Sequence, residues 1–182
     1  MHNSDSEKYV VLPSEGLRQA FYKMAYDYRD AEDRRYYKDV VSDGFDFGVY
    51  VENLRSFERR GTRGGLCPFS PPCTTFWMVD GPGRTIFGVS RLRHMLDAAS
   101  RKEGGHIGYD VPPSLRGAGN ATELLRLTVA KAREMGIARA LVTCDADNAA
   151  SARVIARNVG ALENQVVSDF TKKIINRYWI FC

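Results

Sequence analysis

The segment that most restricts what this chain can fold into is GHIGYDVPPSLRGAGNAT, residues 105–122. Gly105 to Val111 reads as a strand, and Pro112 and Pro113 close it because proline cannot donate to a strand ladder. A loop of small residues follows, and from Gly119 onward the period changes. Leu124, Leu125, Thr128, Ala132 and Met135 recur at helical spacing, with Gly136 placed just past the helix end. A strand, a glycine loop and a helix start leave the N–H groups of the first turn bare beside a partial positive charge. Small side chains there let a pyrophosphate approach those donors, so the segment predicts an anion site. Two familiar phosphate loops are excluded by spacing. No Gly-Lys-Ser/Thr follows, and Thr122 stands where a dinucleotide fingerprint needs its third glycine.

The rest of the chain supplies the context of a mixed sheet. Leu17, Ala20, Phe21, Met24, Ala25 and Tyr28 predict an amphipathic helix over residues 14–39, capped by Ser14, with its many tyrosines read as packing. A second helix is expected over 48–60, ended by Gly61, Gly64 and Gly65. Cys67 to Cys73 reads as a Pro-rich loop. Strands at 74–79 and 85–92 should form an antiparallel hairpin around Gly81-Pro82-Gly83. Ala138 to Cys144 is a compact apolar strand. Asn148 can cap a short helix running to about Asn158 and ended by Gly160, and strands near 162–167 and 176–181 close the chain. This succession predicts an α/β fold with a mixed sheet.

Length and composition fit one domain. The chain has 182 residues, 44% hydrophobic and 26% charged, enough for a single buried core and inconsistent with disorder. Its net charge of +4 is spread along the sequence without the dense stripe of a nucleic-acid binder. Nucleic acid is therefore not an expected partner. Met1 to Glu7 is polar, and no apolar run approaches a membrane span, so neither membrane nor secretion is expected and the predicted location is cytoplasmic. The cysteines at 67, 73, 144 and 182 match no zinc spacing and read as reduced thiols; no metal is expected.

The pattern Arg116-x-x-Gly119-x-Ala121 resembles the Arg/Gln-x-x-Gly-x-Gly/Ala motif of GNAT acetyltransferases. Asp147-Asn148-Ala149-Ala150-Ser151 resembles the later helix start at which GNAT proteins place an asparagine. Together with Gly104 to Tyr109, Ala121 to Leu125 and Arg177 to Ile180, these stretches resemble a bacterial subgroup of predicted acetyltransferases over residues 74–182. The resemblance implies a mostly antiparallel central sheet flanked by helices in an α+β single domain, 1–182. Residues 1–73 would form acceptor-side helices and loop, and 74–182 the acetyl-CoA-binding core.

The resemblance further implies acetyl-CoA as co-substrate, held by Tyr109, Val111, Arg116, Gly117, Ala118, Gly119, Asn120, Ala121, Asn148 and Ser151. Its acetyl group would pass to an amine by direct attack, with a small-molecule acceptor expected and a homodimer left open. Many family members carry a tyrosine seven residues after the asparagine as acid; this chain has Ile155 there, which leaves Tyr109 or water. His106 is the best-placed titratable base, with a packing histidine as the alternative. Strand alternation sets His106 and Asp110 on one face and Tyr109 on the other, unless a bulge shifts the register. Arg91, Arg93 and His94 could line the acceptor site or form a solvated edge. Asp145 and Asp147 could attract a cationic amine or complement a helix dipole. A non-catalytic acyl-CoA-binding module stands as the alternative function.

Overall fold

The computed structural model describes residues 7–60 and 71–182, apart from the side chains of 59 and 60. The expected Cys67 and the glycine stop at 61–65 lie outside the described residues. Among the described residues, five α-helices and seven strands follow in the order β1 Tyr9–Val11, α1 Arg18–Asp30, α2 Tyr37–Val40, α3 Phe47–Arg60, β2 Cys73–Val79 and β3 Ile86–Arg93. Next come β4 Ile107–Asp110, α4 Asn120–Glu134, β5 Arg139–Asp145, α5 Ala149–Arg157, β6 Ala161–Val167 and β7 Ile174–Phe181. All strands join one sheet in the order β1-β2-β3-β4-β5-β7-β6, antiparallel except for the β4–β5 pair.

Two apolar layers sandwich this sheet. On one face α1 buries Ala20, Phe21, Met24, Ala25 and Tyr28, positions one helical turn apart, against Phe47 and Val51 of α3 and against Trp77, Val79 and Val89. Phe21 stacks on Trp77 with ring centroids 5.6 Å apart, the offset geometry that aromatic quadrupoles favour. On the other face α4 and α5 bury Leu125, Ala132 and Ile155 against Phe76, Leu92, Ile107, Val142 and Ile180. Gly88 permits this approach: a Cβ there would lie 2.7 Å from Leu124 Cδ2 and 3.0 Å from the Asp110 carbonyl.

Several local expectations change. The first helix does not run through to residue 39; it stops at Asp30, and Glu32 and Tyr36 adopt left-handed backbone (φ 58° and 59°) before the short α2. Ser14 stands at the start of a 3₁₀ turn but makes no side-chain cap bond, whereas Asn148 does cap α5. α5 ends through left-handed Val159 (φ 60°), not Gly160, whose N–H bonds the Ile155 carbonyl at 3.0 Å. Gly160 is required for another reason, since a Cβ there would meet Ile155 Cγ2 at 2.3 Å. The strand β1, too short to show a period, was not foreseen. It ties residues 9–11 to β2, and Lys8 reaches Asn120. No described helix is long and apolar enough to cross a membrane.

Candidate active site

β4 and β5 share a single register pair, Ile107 with Val142, so the strands part towards Asp110 and Asp145. A groove of about 460 Å³ opens at this divergence, lined by Tyr109, Asp110 and Val111, by Arg116, Gly117, Gly119, Asn120 and Ala121, and by Asn148 and Ser151. Residues from three separated stretches thus meet in one place. Of the ten residues named for the cofactor, nine line this groove. Ala118 does not; it sits at the exposed tip of the loop.

The loop is built for close approach. Gly117 and Gly119 hold φ of 81° and 80°, a conformation that disfavours a Cβ. Nothing lies within 4 Å of where a Cβ would stand at either position, so the space above the backbone is open. Side chains brace the loop from behind. Asn120 Nδ2 donates to the Leu115 carbonyl (2.8 Å), Lys8 Nζ donates to Asn120 Oδ1 (2.9 Å), and Arg116 Nε donates to the Val111 carbonyl (3.1 Å). Because the Asn120 side chain is committed inward, only its main chain is available to the groove. The residues present therefore suit a diphosphate: unobstructed main chain, a helix N-terminus and an adjacent arginine.

Deeper in the groove, Tyr109 Oη and Ser151 Oγ lie 2.8 Å apart, and the Ser151 N–H donates to Asn148 Oδ1 at 3.0 Å. Burial pushes the Tyr109 phenol up to about 12, against the lowering effect of its bond to Ser151. Cys144 is buried nearby, and burial raises its thiol above the ordinary range, which keeps it protonated and unreactive.

His106 is not brought to the groove. It stands before β4, at the far end from Val111, beside Trp179, and its Nδ1 accepts the Leu141 N–H at 2.9 Å. That bond occupies the lone pair a base would use, and in the neutral ring Nε2 then carries the hydrogen. Burial, then Arg101 and Arg93, lower its pKa, holding it neutral. His106 thus has the contacts of the packing alternative and is not among the residues that line the groove. No bulge reverses the parity: Tyr109 faces α5, and Asp110 faces α1.

Asp110 is held by three side chains. Tyr28 and Tyr36 donate to Oδ1 at 2.7 and 2.8 Å, and Arg91 Nη1 donates to Oδ2 at 3.1 Å. Burial, aided by the Asp110 charge, raises the phenols of Tyr28 and Tyr36, so both remain donors. The tyrosines expected to serve packing alone thus also anchor a carboxylate from opposite the cofactor loop. Their polar tips gave no periodic signal. Arg93 donates to the carbonyls of Gly104 and Gly105, His94 bonds Thr74, and Asp145 pairs with Lys173 at 3.0 Å, so these candidates serve local structure. Arg153 and Arg157, which the sequence reading did not single out, also line the groove. A second hollow of about 710 Å³ between α1 and the start of β3 shares no lining residue with the groove and is lined by Lys23, Asp27 and Asp30 among others. Among the described residues no three His, Cys, Asp or Glu side chains gather as a metal site.

A family model described as an acetyltransferase (GNAT) domain matches residues 4–158. The chain belongs to the GNAT acetyltransferase family. The match spans both sides of residue 73, in keeping with the single sheet. No curated protein sequence matches this GNAT chain. Among solved structures it is similar to a microcin C7 self-immunity acetyltransferase, MccE, in complex with acetyl-CoA and AMP (14% identity, 98% of this chain and 94% of that one, TM-score 0.67). It is also similar to RimL, a ribosomal L7/L12 alpha-N-protein acetyltransferase in complex with coenzyme A (17%, 97% and 95%, TM-score 0.68). A third is a chimera of the spermidine N-acetyltransferase SpeG from Vibrio cholerae and hSSAT (14%, 97% and 96%, TM-score 0.63). At such identities the likeness concerns the fold, and that fold is the GNAT arrangement of a mostly antiparallel sheet flanked by helices.

Proposed function

We propose that this GNAT acetyltransferase binds acetyl-CoA in the groove and passes its acetyl group directly to an amine, most suitably that of a small molecule. The observation that carries this reading is the convergence of the 116–121 loop, Asn148 and Ser151, and Tyr109 at the parting of β4 and β5. The structural relatives crystallised with acetyl-CoA or coenzyme A support it. Acetyl-CoA supplies an activated thioester, and the chain supplies position and polarity. Main-chain amides of 116–121 hold the diphosphate. The edge of β4 beyond Ile107, which has no β5 ladder, offers donors to the thioester carbonyl, where developing negative charge makes a fixed dipole most effective.

Tyr109 is the groove's hydroxyl donor to the departing sulfur. With a pKa of about 12 it holds its proton more tightly than a thiol near 8.5 does, so it stabilises the thiolate by hydrogen bonding and does not protonate it outright. With His106 turned away and Asp110 bound by three donors, the amine releases its proton to water. The Tyr28, Tyr36, Asp110 and Arg91 cluster forms the floor on the acceptor side. It has no free acidic run to receive a basic protein tail, which favours a small acceptor. The relatives that act on a ribosomal protein and on spermidine define the two acceptor classes to compare.

The same proposal places the protein in the cytoplasm, where acetyl-CoA and reduced thiols such as Cys73, Cys144 and Cys182 coexist. It includes a homodimer, to be checked by the oligomeric state of the full chain in solution. The decisive experiment is acetyl-dependent thiol release with a panel of polyamines, amino acids, aminoglycosides and N-terminal peptides. Release with a small amine is expected. Coenzyme A binding without release for any amine would favour the non-catalytic module, and release with peptides alone would move the acceptor class to proteins.

A further inference from the structure

The α5 wall of the groove carries a feature that diphosphate binding does not use. Ala150, Arg153, Val154 and Arg157 all line the groove, at the i, i+3, i+4, i+7 spacing of one helix face. Both guanidinium groups on that face are exposed, and neither has an ion-pair or hydrogen-bond partner among the described residues. The nearest acid on the facing helix is unavailable, because Glu123 binds Arg126 in a two-pronged pair at 2.7 and 2.8 Å. Asn158 braces the end of α5 against the first turn of α4, donating to the Thr122 carbonyl at 3.2 Å. Arg157 is therefore held level with the α4 N-terminus, across the groove from it.

Charge balance asks what these two cations meet. The α4 N-terminus offers only about half a positive charge, and Arg116 adds one more while its Nε is tied to the Val111 carbonyl. Those groups suffice for one anionic centre on the loop. Two further unpaired arginines on the opposite wall fit a second anionic centre, displaced from the first towards solvent. A phosphomonoester carries about 1.5 to 2 negative charges near pH 7 and accepts paired N–H donors from guanidinium in fork geometry.

We infer that Arg153 and Arg157 recognise the 3′-phosphate of the coenzyme A ribose, so that the groove selects coenzyme A over its 3′-dephospho form. This rests on the reading of the groove as the acetyl-CoA site. It adds that the α5 face, and not the glycine loop, decides between the two nucleotides. The loop should bind both alike, since the diphosphate is common to them.

Isothermal titration of the full chain with coenzyme A and with 3′-dephospho-coenzyme A tests this, in wild type and in R153Q/R157Q. Wild type should bind coenzyme A on the order of 10-fold or more tightly than the dephospho form, the scale of charge-assisted hydrogen bonds. The double variant should bring that ratio close to one while leaving affinity for the dephospho form unchanged, and an unshifted melting curve should show it folded. R153K/R157K should keep part of the preference, since charge remains and the fork is lost. Equal wild-type affinity for the two ligands, or a preference that survives in the glutamine variant, would overturn the assignment and leave the groove reading intact. Failure of wild type to bind either ligand would instead remove the groove reading and the assignment with it.

Discussion

Tyr109 Oη and Ser151 Oγ, contributed by β4 and by the first turn of α5, lie 2.8 Å apart across the parting strands. The contact joins the two elements whose separation makes the groove, and it aims a phenol that burial keeps neutral up to about 12. In Tyr109→Phe, coenzyme A affinity should stay within a few-fold while kcat falls about 10- to 100-fold, the cost of one hydrogen bond to a developing charge. The wild-type pH–rate profile should show no alkaline limb from this group below about 12. Full turnover in a folded phenylalanine variant would reassign Tyr109 to packing.

Gly119 sits at φ 80° with open space where a Cβ would project. Gly119→Val places a branched side chain in that space and in a backbone conformation that costs roughly 1–2 kcal/mol for an L residue. Coenzyme A binding should be lost by calorimetry, with a melting temperature lowered by only several degrees. Retained affinity in a folded variant would show that the diphosphate lies elsewhere.

His106 accepts the Leu141 N–H and does not face the groove. His106→Ala should leave turnover within about threefold of wild type and lower stability by about 1–3 kcal/mol, because the buried amide loses its acceptor. Since burial holds the folded-state pKa below the ordinary 6.5, the unfolded chain binds the proton more readily. The stability from this group is complete above about 6.5 and is lost as pH falls through the lowered value. Urea titrations between neutral and mildly acidic pH should show that slope in wild type and a smaller one in the alanine variant. A large loss of kcat would restore the imidazole as base.

Val159 holds φ 60° at the end of α5 and is 85% exposed, so a β-branched residue occupies a position that favours glycine and makes no compensating burial. Val159→Gly should stabilise the fold by about 1 kcal/mol in urea unfolding. Gly160→Ala should do the reverse and cost more, because its Cβ would meet Ile155. A destabilised Val159→Gly would mean that the valine side chain serves a partner surface.

Elements with a strong period were legible in the sequence: the stripe of α4, the hairpin of β2 and β3, and the apolar run of β5 all appear within a residue or two of their expected bounds. The glycine loop before α4 and the Asn148 cap were legible as local signals, whereas Tyr109, Val111 and Ser151 were named only through the resemblance to GNAT proteins. What was hidden is non-local or strained. β1 exists through pairing with β2, the break after Asp30 rests on left-handed Glu32 and Tyr36, and the helix stop at Val159 uses a residue that sequence rules assign elsewhere.

By itself the sequence determined which segments could be strand, loop or helix, and hence that bare main-chain donors would face a small-residue bend at Gly117 and Gly119. Local backbone sterics fix such features wherever the segment lies. Only the tertiary structure decided which side chains meet there. The parting of β4 from β5 left Tyr109 to meet Ser151 and His106 to meet Leu141, while the β3–β4 pairing and the packing of α1 gathered Arg91, Tyr28 and Tyr36 on Asp110. Those contacts join residues up to 82 positions apart, and their geometry follows from how two packed layers close on one sheet, which no local pattern encodes.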